Sequence, residues 1–229
     1  MTALPVDLDL PQLLDGAPPP WADFWGQDQY GIYAGFVFRD VPQRLRWIPP
    51  GRFQMGSPES EKGRWDDEGR QHAVELASGF WLFDTPCTQA LWQAVMEENP
   101  SRFAGSRRPV EGVSFEDALV FIERLNGRVE GLNLSLPSEA QWEYACRAGR
   151  ETSTYSGDLD PDNPADMTRL GEIAWHEGNS GGETHDVGGR RANDWGLYDI
   201  VGQRLGRVRG PLAWRLRRRA FRRPRVVGR

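Results

Sequence analysis

Residues 136–149 read L-P-S-E-A-Q-W-E-Y-A-C-R-A-G. Pro137 ends whatever precedes it, and Ser138 offers a side-chain oxygen to the first orphan N–H groups of a helix. Gln141, three residues on, completes a capping-box pattern. A helix is therefore predicted from Ser138, with Gly149 as its C-terminal stop.

The same signal recurs upstream. Ser114 precedes F-E-D-A-L-V-F-I-E-R-L-N with Asp117 at the capping offset. Ala118, Phe121, Ile122 and Leu125 then form one apolar face. In Thr85–Met96, Leu91, Trp92 and Val95 recur at helical spacing behind hydroxyl caps. Further towards the N-terminus the period changes to that of strands. G-I-Y-A-G-F-V-F (31–38), R-L-R-W-I (44–48), R-F-Q-M-G (52–56) and A-V-E-L-A-S-G-F-W-L-F (73–83) are aromatic or β-branched runs bounded by turn residues. Ser57–Arg70 reads as a polar loop, and Glu151–Gly188 as loop-rich. No period of 20–50 residues repeats, which excludes solenoids and propellers. The fold class read from this pattern is α+β, with short mixed strands, a few helices and long irregular connections.

Composition narrows the classes further. Of 229 residues, 38% are hydrophobic and 27% charged, with 26 Gly, 17 Pro, 10 Trp and 2 Cys. That suits a globular domain and excludes a fibrous or wholly disordered chain. No run approaches the roughly 18 apolar residues of a membrane span. The first residues carry no basic group ahead of an apolar stretch, unlike a signal peptide. With two cysteines this argues for a reducing, cytoplasmic setting. The net charge of −5 is an average of two unlike parts. Gln203–Arg229 holds 11 Arg and no Asp, Glu or Lys. The remaining 17 basic residues face 33 acids, so residues 1–202 carry −16. Three segments are expected: a Pro-, Asp- and Leu-rich tail or linker at 1–28, a domain at 29–202, and an Arg-rich segment at 203–229.

Few residues announce chemistry. His72 lies near Asp66, Asp67 and Glu68, but the spacing matches no compact metal motif and a solvated loop is favoured. His176 and His185 flank a Gly-rich turn containing Asn179, with no acid at a telling spacing. D-L-D-P-D-N-P-A-D (158–166) offers oxygen ligands for Ca²⁺. It departs from an EF-hand at Asn163, where Gly is required, and at Arg169, where the bidentate Glu belongs. A turn-rich loop is the better reading. Cys87 sits at a helix start, where backbone N–H groups lower a thiol pKa, and Cys146 lies within a helix. Both read as small core residues rather than nucleophiles. No P-loop, nucleophile elbow or H-E-x-x-H is present.

Taken together, the segments resemble the formylglycine-generating enzyme, or sulfatase-modifying factor, family. W-I-P-P-G-R-F-Q-M-G-S (47–57), Glu68 to Leu76, and F-W-L-F-D-T-P-C-T-Q-A-L-W (80–92) are similar to its opening. P-V-E-G-V-S-F-E-D-A-L (109–119) looks like its P-V-x-x-V-S-W-x-D-A block. L-P-S-E-A-Q-W-E-Y-A-C-R-A-G is similar to its L-P-T-E-A-E-W-E-Y-A-x-R-x-G signature, and N-D-W-G-L-Y-D-I-V-G (193–202) to N-x-x-G-L-Y-D-M-x-G. The resemblance implies an irregular C-type-lectin-like α+β domain, commonly with structural calcium. Asn179, in A-W-H-E-G-N-S, is the residue that the resemblance assigns to a calcium site.

The departures bear on activity. The family continues G-N-V-W-E-W and carries its copper-binding catalytic cysteine pair in a late segment. Here Gly202 is followed by Gln203-Arg204-Leu205 and arginines, with no cysteine. Neither Cys87 nor Cys146 falls at the catalytic positions, so copper chemistry lacks its thiolates. Gln-Arg-Leu written CAA CGT CTG G and read one base on gives Asn-Val-Trp, which predicts a frameshift at this point. The expected function is a non-catalytic module that binds a protein or small ligand. Relatives with these variant motifs resemble the variable target proteins of diversity-generating retroelements. Oxidation of a substrate cysteine to formylglycine is the alternative that the resemblance implies. Nucleic-acid binding through the Arg-rich segment is a third, opposed by the acidity of residues 1–202.

Overall fold

The structure, a computed structural model, describes residues 18–64 and 70–201. Its main sheet is antiparallel, in the order β1 (Phe24–Asp28), β2 (Gly31–Phe38), β3 (Val41–Ile48), β6 (Phe80–Phe83). A second sheet pairs β4 (Gly51–Met55) with β5 (His72–Leu76). Both sheets are open. The segment read as a tail thus ends in a strand, with Phe24 opposite Gly35 and Asp28 opposite Gly31. Trp21 joins the core and meets Trp81 edge-on.

The run expected at 73–83 is two strands in two sheets. The break falls at Ser78-Gly79, and Gly79 is required there. A Cβ on it would stand 2.4 Å from the Trp47 ring, so only glycine lets the chain turn past that indole.

The helices follow their caps. In α1 (Gln89–Met96), the Thr88 hydroxyl accepts from Leu91 N–H, so the helix begins four residues later than the apolar spacing suggested. Both capping boxes form, at Ser114–Asp117 for α2 (Phe115–Asn126) and Ser138–Gln141 for α3 (Glu139–Arg147). A further helix, α4 (Pro164–Ile173), lies within the loop-rich stretch 151–188 and was not read from the sequence. The Asp, Asn and Pro residues that suggested a turn cap it instead. Asn163 Oδ1 accepts from Ala165 N–H and Pro164 occupies the first turn, where its missing donor costs nothing.

Three clusters fill the interior. Trp92 stacks on Phe121 at 5.0 Å, joining α1 to α2 above β2 and β3. Ile48, Tyr144, Ala145 and Leu197 form a second cluster, and Tyr155, Ile173 and Ala174 a third.

The decisive helix is anchored through its C-terminal half. Glu143 accepts from Gly56 N–H at 2.8 Å, and Arg147 donates to the Gly56 carbonyl at 2.8 Å while pairing with Glu143. Asn193 donates to the carbonyls of Ala145 and Cys146 and accepts from Trp195 and Leu197 N–H. Three of the quoted motifs therefore meet in one structural joint.

A candidate binding groove at the edge of β6

Phe80-Trp81-Leu82-Phe83 is apolar at every position, and alternation sends its side chains to opposite faces. Trp81 and Phe83 pack on the large cluster that holds Trp92 and Phe121. Phe80 and Leu82 pack on the cluster that holds Tyr144 and Leu197. Strand β6 therefore separates two cores. Among the described residues it pairs with β3 alone, through Leu45–Phe83 to Ile48–Phe80.

A cavity of about 190 Å³ opens beside it. All four β6 residues line it. A cavity lying against one face of a strand would touch alternate residues only, so this one runs along the unpaired edge. Phe121, Ile122 and Leu134 wall it on the side of the large cluster, and Leu197 and Ile200 on the other. Gln141, Trp142 and Asp199 add polar and aromatic rim. The groove thus continues the plane of the main sheet, between two apolar walls.

Electrostatics at one end are unusual. Tyr198 N–H donates to the Asp84 carbonyl at 2.8 Å, which brings the last β6 turn against the 197–201 segment. Burial pushes the Asp84 carboxyl up to about 6, against the pull of Arg44 and Arg46. Asp199 is also raised, chiefly by burial, although its Oδ2 accepts from Gly188 N–H at 2.7 Å.

The residues singled out in sequence are mostly elsewhere. Cys87 lines the groove but is buried, and burial drives its thiol pKa far up, opposite to the effect of a helix start. That agrees with a core role. Cys146 is half-buried on α3, and neither cysteine is in a disulfide. His72 is exposed, its Nδ1 3.0 Å from the Arg70 carbonyl. Asp66, Asp67 and Glu68 lie outside the described residues, as do residues 203–229.

His176 is buried, and burial lowers its pKa. Its Nδ1 accepts from Gly178 N–H, which matches a neutral ring. His185 stacks on Trp175 with centroids 3.7 Å apart, and Arg190 also sits over that indole. Asn179 accepts from His176 N–H at 2.7 Å and donates to the Ala174 carbonyl, so it closes the turn after α4. In the 158–166 stretch, Asp160 pairs with Lys62 and Asp166 with Arg169. Asp158 accepts from Ser153 N–H. These oxygens order the entry to α4. Among the described residues no group of three or more His, Cys, Asp or Glu is placed to hold a metal. No described helix is long and apolar enough to cross a membrane.

The groove itself was not read from the sequence. Its signal was the uninterrupted apolar run of β6, which marks a strand buried on both faces.

Residues 39–205 match the family described as "Sulfatase-modifying factor enzyme 1-like domain". The chain is 31% identical over 170 residues to the "Chaperone protein LppX" of Paenibacillus barcinonensis, covering 55% of this chain and 60% of that protein. It is 28% identical over 137 residues to the "Formylglycine-generating enzyme" of Mus musculus, covering 57% of this chain and 34% of that one. The chain therefore spans less than two thirds of either relative. Among solved structures, variable protein 1 of Treponema denticola superposes with a TM-score of 0.60 at 26% identity, over 75% of this chain and 74% of that one. PvdO from Pseudomonas aeruginosa gives 0.60 at 25% identity, over 72% and 70%.

Proposed function

Because the chain belongs to the sulfatase-modifying factor enzyme 1-like family, we propose that it is a non-catalytic binding module whose site is the β6 groove. The observation that carries this reading is the groove's lining, four consecutive β6 residues between two apolar walls. Concave, mostly apolar sites with a few polar groups at the rim are the usual form of a binding pocket. The likeness to a relative named a chaperone supports a polypeptide as the partner. The likeness to variable protein 1 supports display of a binding surface on a C-type-lectin-like frame, and a kinship with retroelement variable proteins. A structural calcium ion near Asn179 belongs to this reading. Asn179 would supply its side-chain oxygen, which now accepts from His176 N–H.

The chemistry of Cys87, the cysteine that lines the groove, favours binding over turnover. A buried thiol with a raised pKa is a poor metal ligand and nucleophile. The alternative, oxidation of a protein cysteine to formylglycine, rests on the likeness to the mouse enzyme. Copper titration with turnover of a Cys-x-Pro-x-Arg peptide separates the two, and measurable formylglycine would overturn the binding reading.

A frameshift after Gly202 belongs to the same proposal. It is supported by the abrupt change to 11 Arg without acids, and by the fact that Gln-Arg-Leu can be encoded by codons that read Asn-Val-Trp one base on. Sequencing the locus tests it, and DNA without that continuation would exclude it.

The groove is tested with 1-anilinonaphthalene-8-sulfonate. Ile122→Glu places an anion in the wall, which repels the dye's sulfonate, and the dye's fluorescence enhancement should fall at least about threefold with the far-UV spectrum unchanged. Unchanged fluorescence would place the site elsewhere.

A further inference from the structure

We infer that the groove takes an extended, apolar polypeptide strand flanked by basic residues, supplied by a partner protein, which adds to the edge of β6 that is unpaired among the described residues. This deepens the binding reading above and rests on it. Three observations converge. First, contact with all four consecutive residues of β6 places the cavity along an edge, where backbone N–H and C=O groups lack partners among the described residues. Such an edge is a template for another strand. Second, the walls come from two different cores. A strand lying between them would send alternate side chains into each, as β6 itself does. A compact ligand would fill one side only. Third, residues 1–202 carry −16, and Asp199 lies at the rim. Basic residues flanking the apolar strand complement that field and speed encounter.

The length is set by β6. Four residues at about 3.3 Å each give a pairing region of about 13 Å. A partner strand of five to seven residues, without proline on the pairing edge, satisfies it.

Backbone N-methylation gives a test that leaves the protein unaltered. The probe is a fluorescein-labelled Arg-Val-Val-Trp-Val-Ile-Arg peptide, read by anisotropy with the full chain. Successive N–H groups of a strand point to opposite edges. Methylating the second, fourth and sixth residues removes the donors of one edge, and methylating the third and fifth removes those of the other. One set should weaken binding about tenfold or more and the other by less than about threefold. Replacing both Arg by Glu should also weaken it, and more so at low salt.

Equal effects of the two methylation patterns would overturn strand addition. Dye binding with no peptide binding would overturn it too, while keeping the groove as an apolar site. Loss of both would remove the site as well. Binding of the peptide only after residues 203–229 are removed would assign the edge to the chain itself and overturn a partner in trans.

Discussion

The guanidinium of Arg46 grips the carboxylate of Asp28 at two points, 2.7 and 2.9 Å, across the β1–β2–β3 sheet. Arg46 is 1% exposed and lies over the rings of Tyr30 and Tyr33. A buried guanidinium that loses its partner keeps the whole desolvation cost. Asp28→Ala should therefore destabilise the fold by about 3 kcal/mol, the low end for a buried pair because Asp28 is partly exposed. Denaturant titration measures it.

The same pair sets an acid limit. The Arg46 hydrogen bond holds the Asp28 carboxyl below its ordinary value. Its contribution is full above the unfolded pKa of about 3.9 and is lost as pH falls through the lower folded value. Asp84 has the opposite sign. Its folded value of about 6 means that the folded chain binds the extra proton between roughly pH 4 and 6. Stability from this group therefore falls as pH rises through that window. Asp84→Asn should flatten the slope of a melting-temperature profile between pH 4 and 6, with Asp28 still governing the region below.

Gly196 is a steric requirement of the Asn193–Asp199 motif. Its φ is +73°, and an added Cβ would lie 2.7 Å from Arg46 Nε and 2.8 Å from Tyr30 Cβ. Gly196→Ala should cost about 2 kcal/mol or more, combining backbone strain with displacement of Arg46. A thermal melt checks it, and a loss below a few tenths would remove the steric argument.

The cap of the decisive helix makes a smaller, separate prediction. Ser138 accepts from Gln141 N–H while Gln141 Oε1 accepts from Ser138 N–H. Ser138→Ala should cost about 1 kcal/mol. Ser138→Asp should retain most of the stability, since its carboxylate can still accept at the N-terminus.

The sequence shows the helices where a cap and an apolar face coincide. Ser114–Asp117 and Ser138–Gln141 are local signals, and both helices form where they stand. Strand β2 coincides with the run at 31–38 for the same reason. The division of 73–83 between two sheets depends on Trp47, a residue from another strand that Gly79 must clear. Helix α4 was obscured because Asp160, Asn163 and Pro164 serve turns and caps equally well. The groove was the least legible feature. The apolar run Phe80–Phe83 signals a strand that packs on both faces, and its side chains are half-buried, but only the tertiary arrangement brings Ile122 and Ile200 to its edge. Asn179 accepts from the His176 N–H, a contact that closes the turn after α4 and that the Gly-rich sequence around it did not announce.

Amide hydrogen exchange of the full chain, with and without the Arg-flanked peptide, bears most directly on the β6 groove as the binding site. Bound peptide should slow exchange in residues 80–83 and in the flanking 197–201 segment, leaving the 158–185 region unchanged. Slowing confined to 158–185, or no change at 80–83 under saturating peptide, would contradict the account.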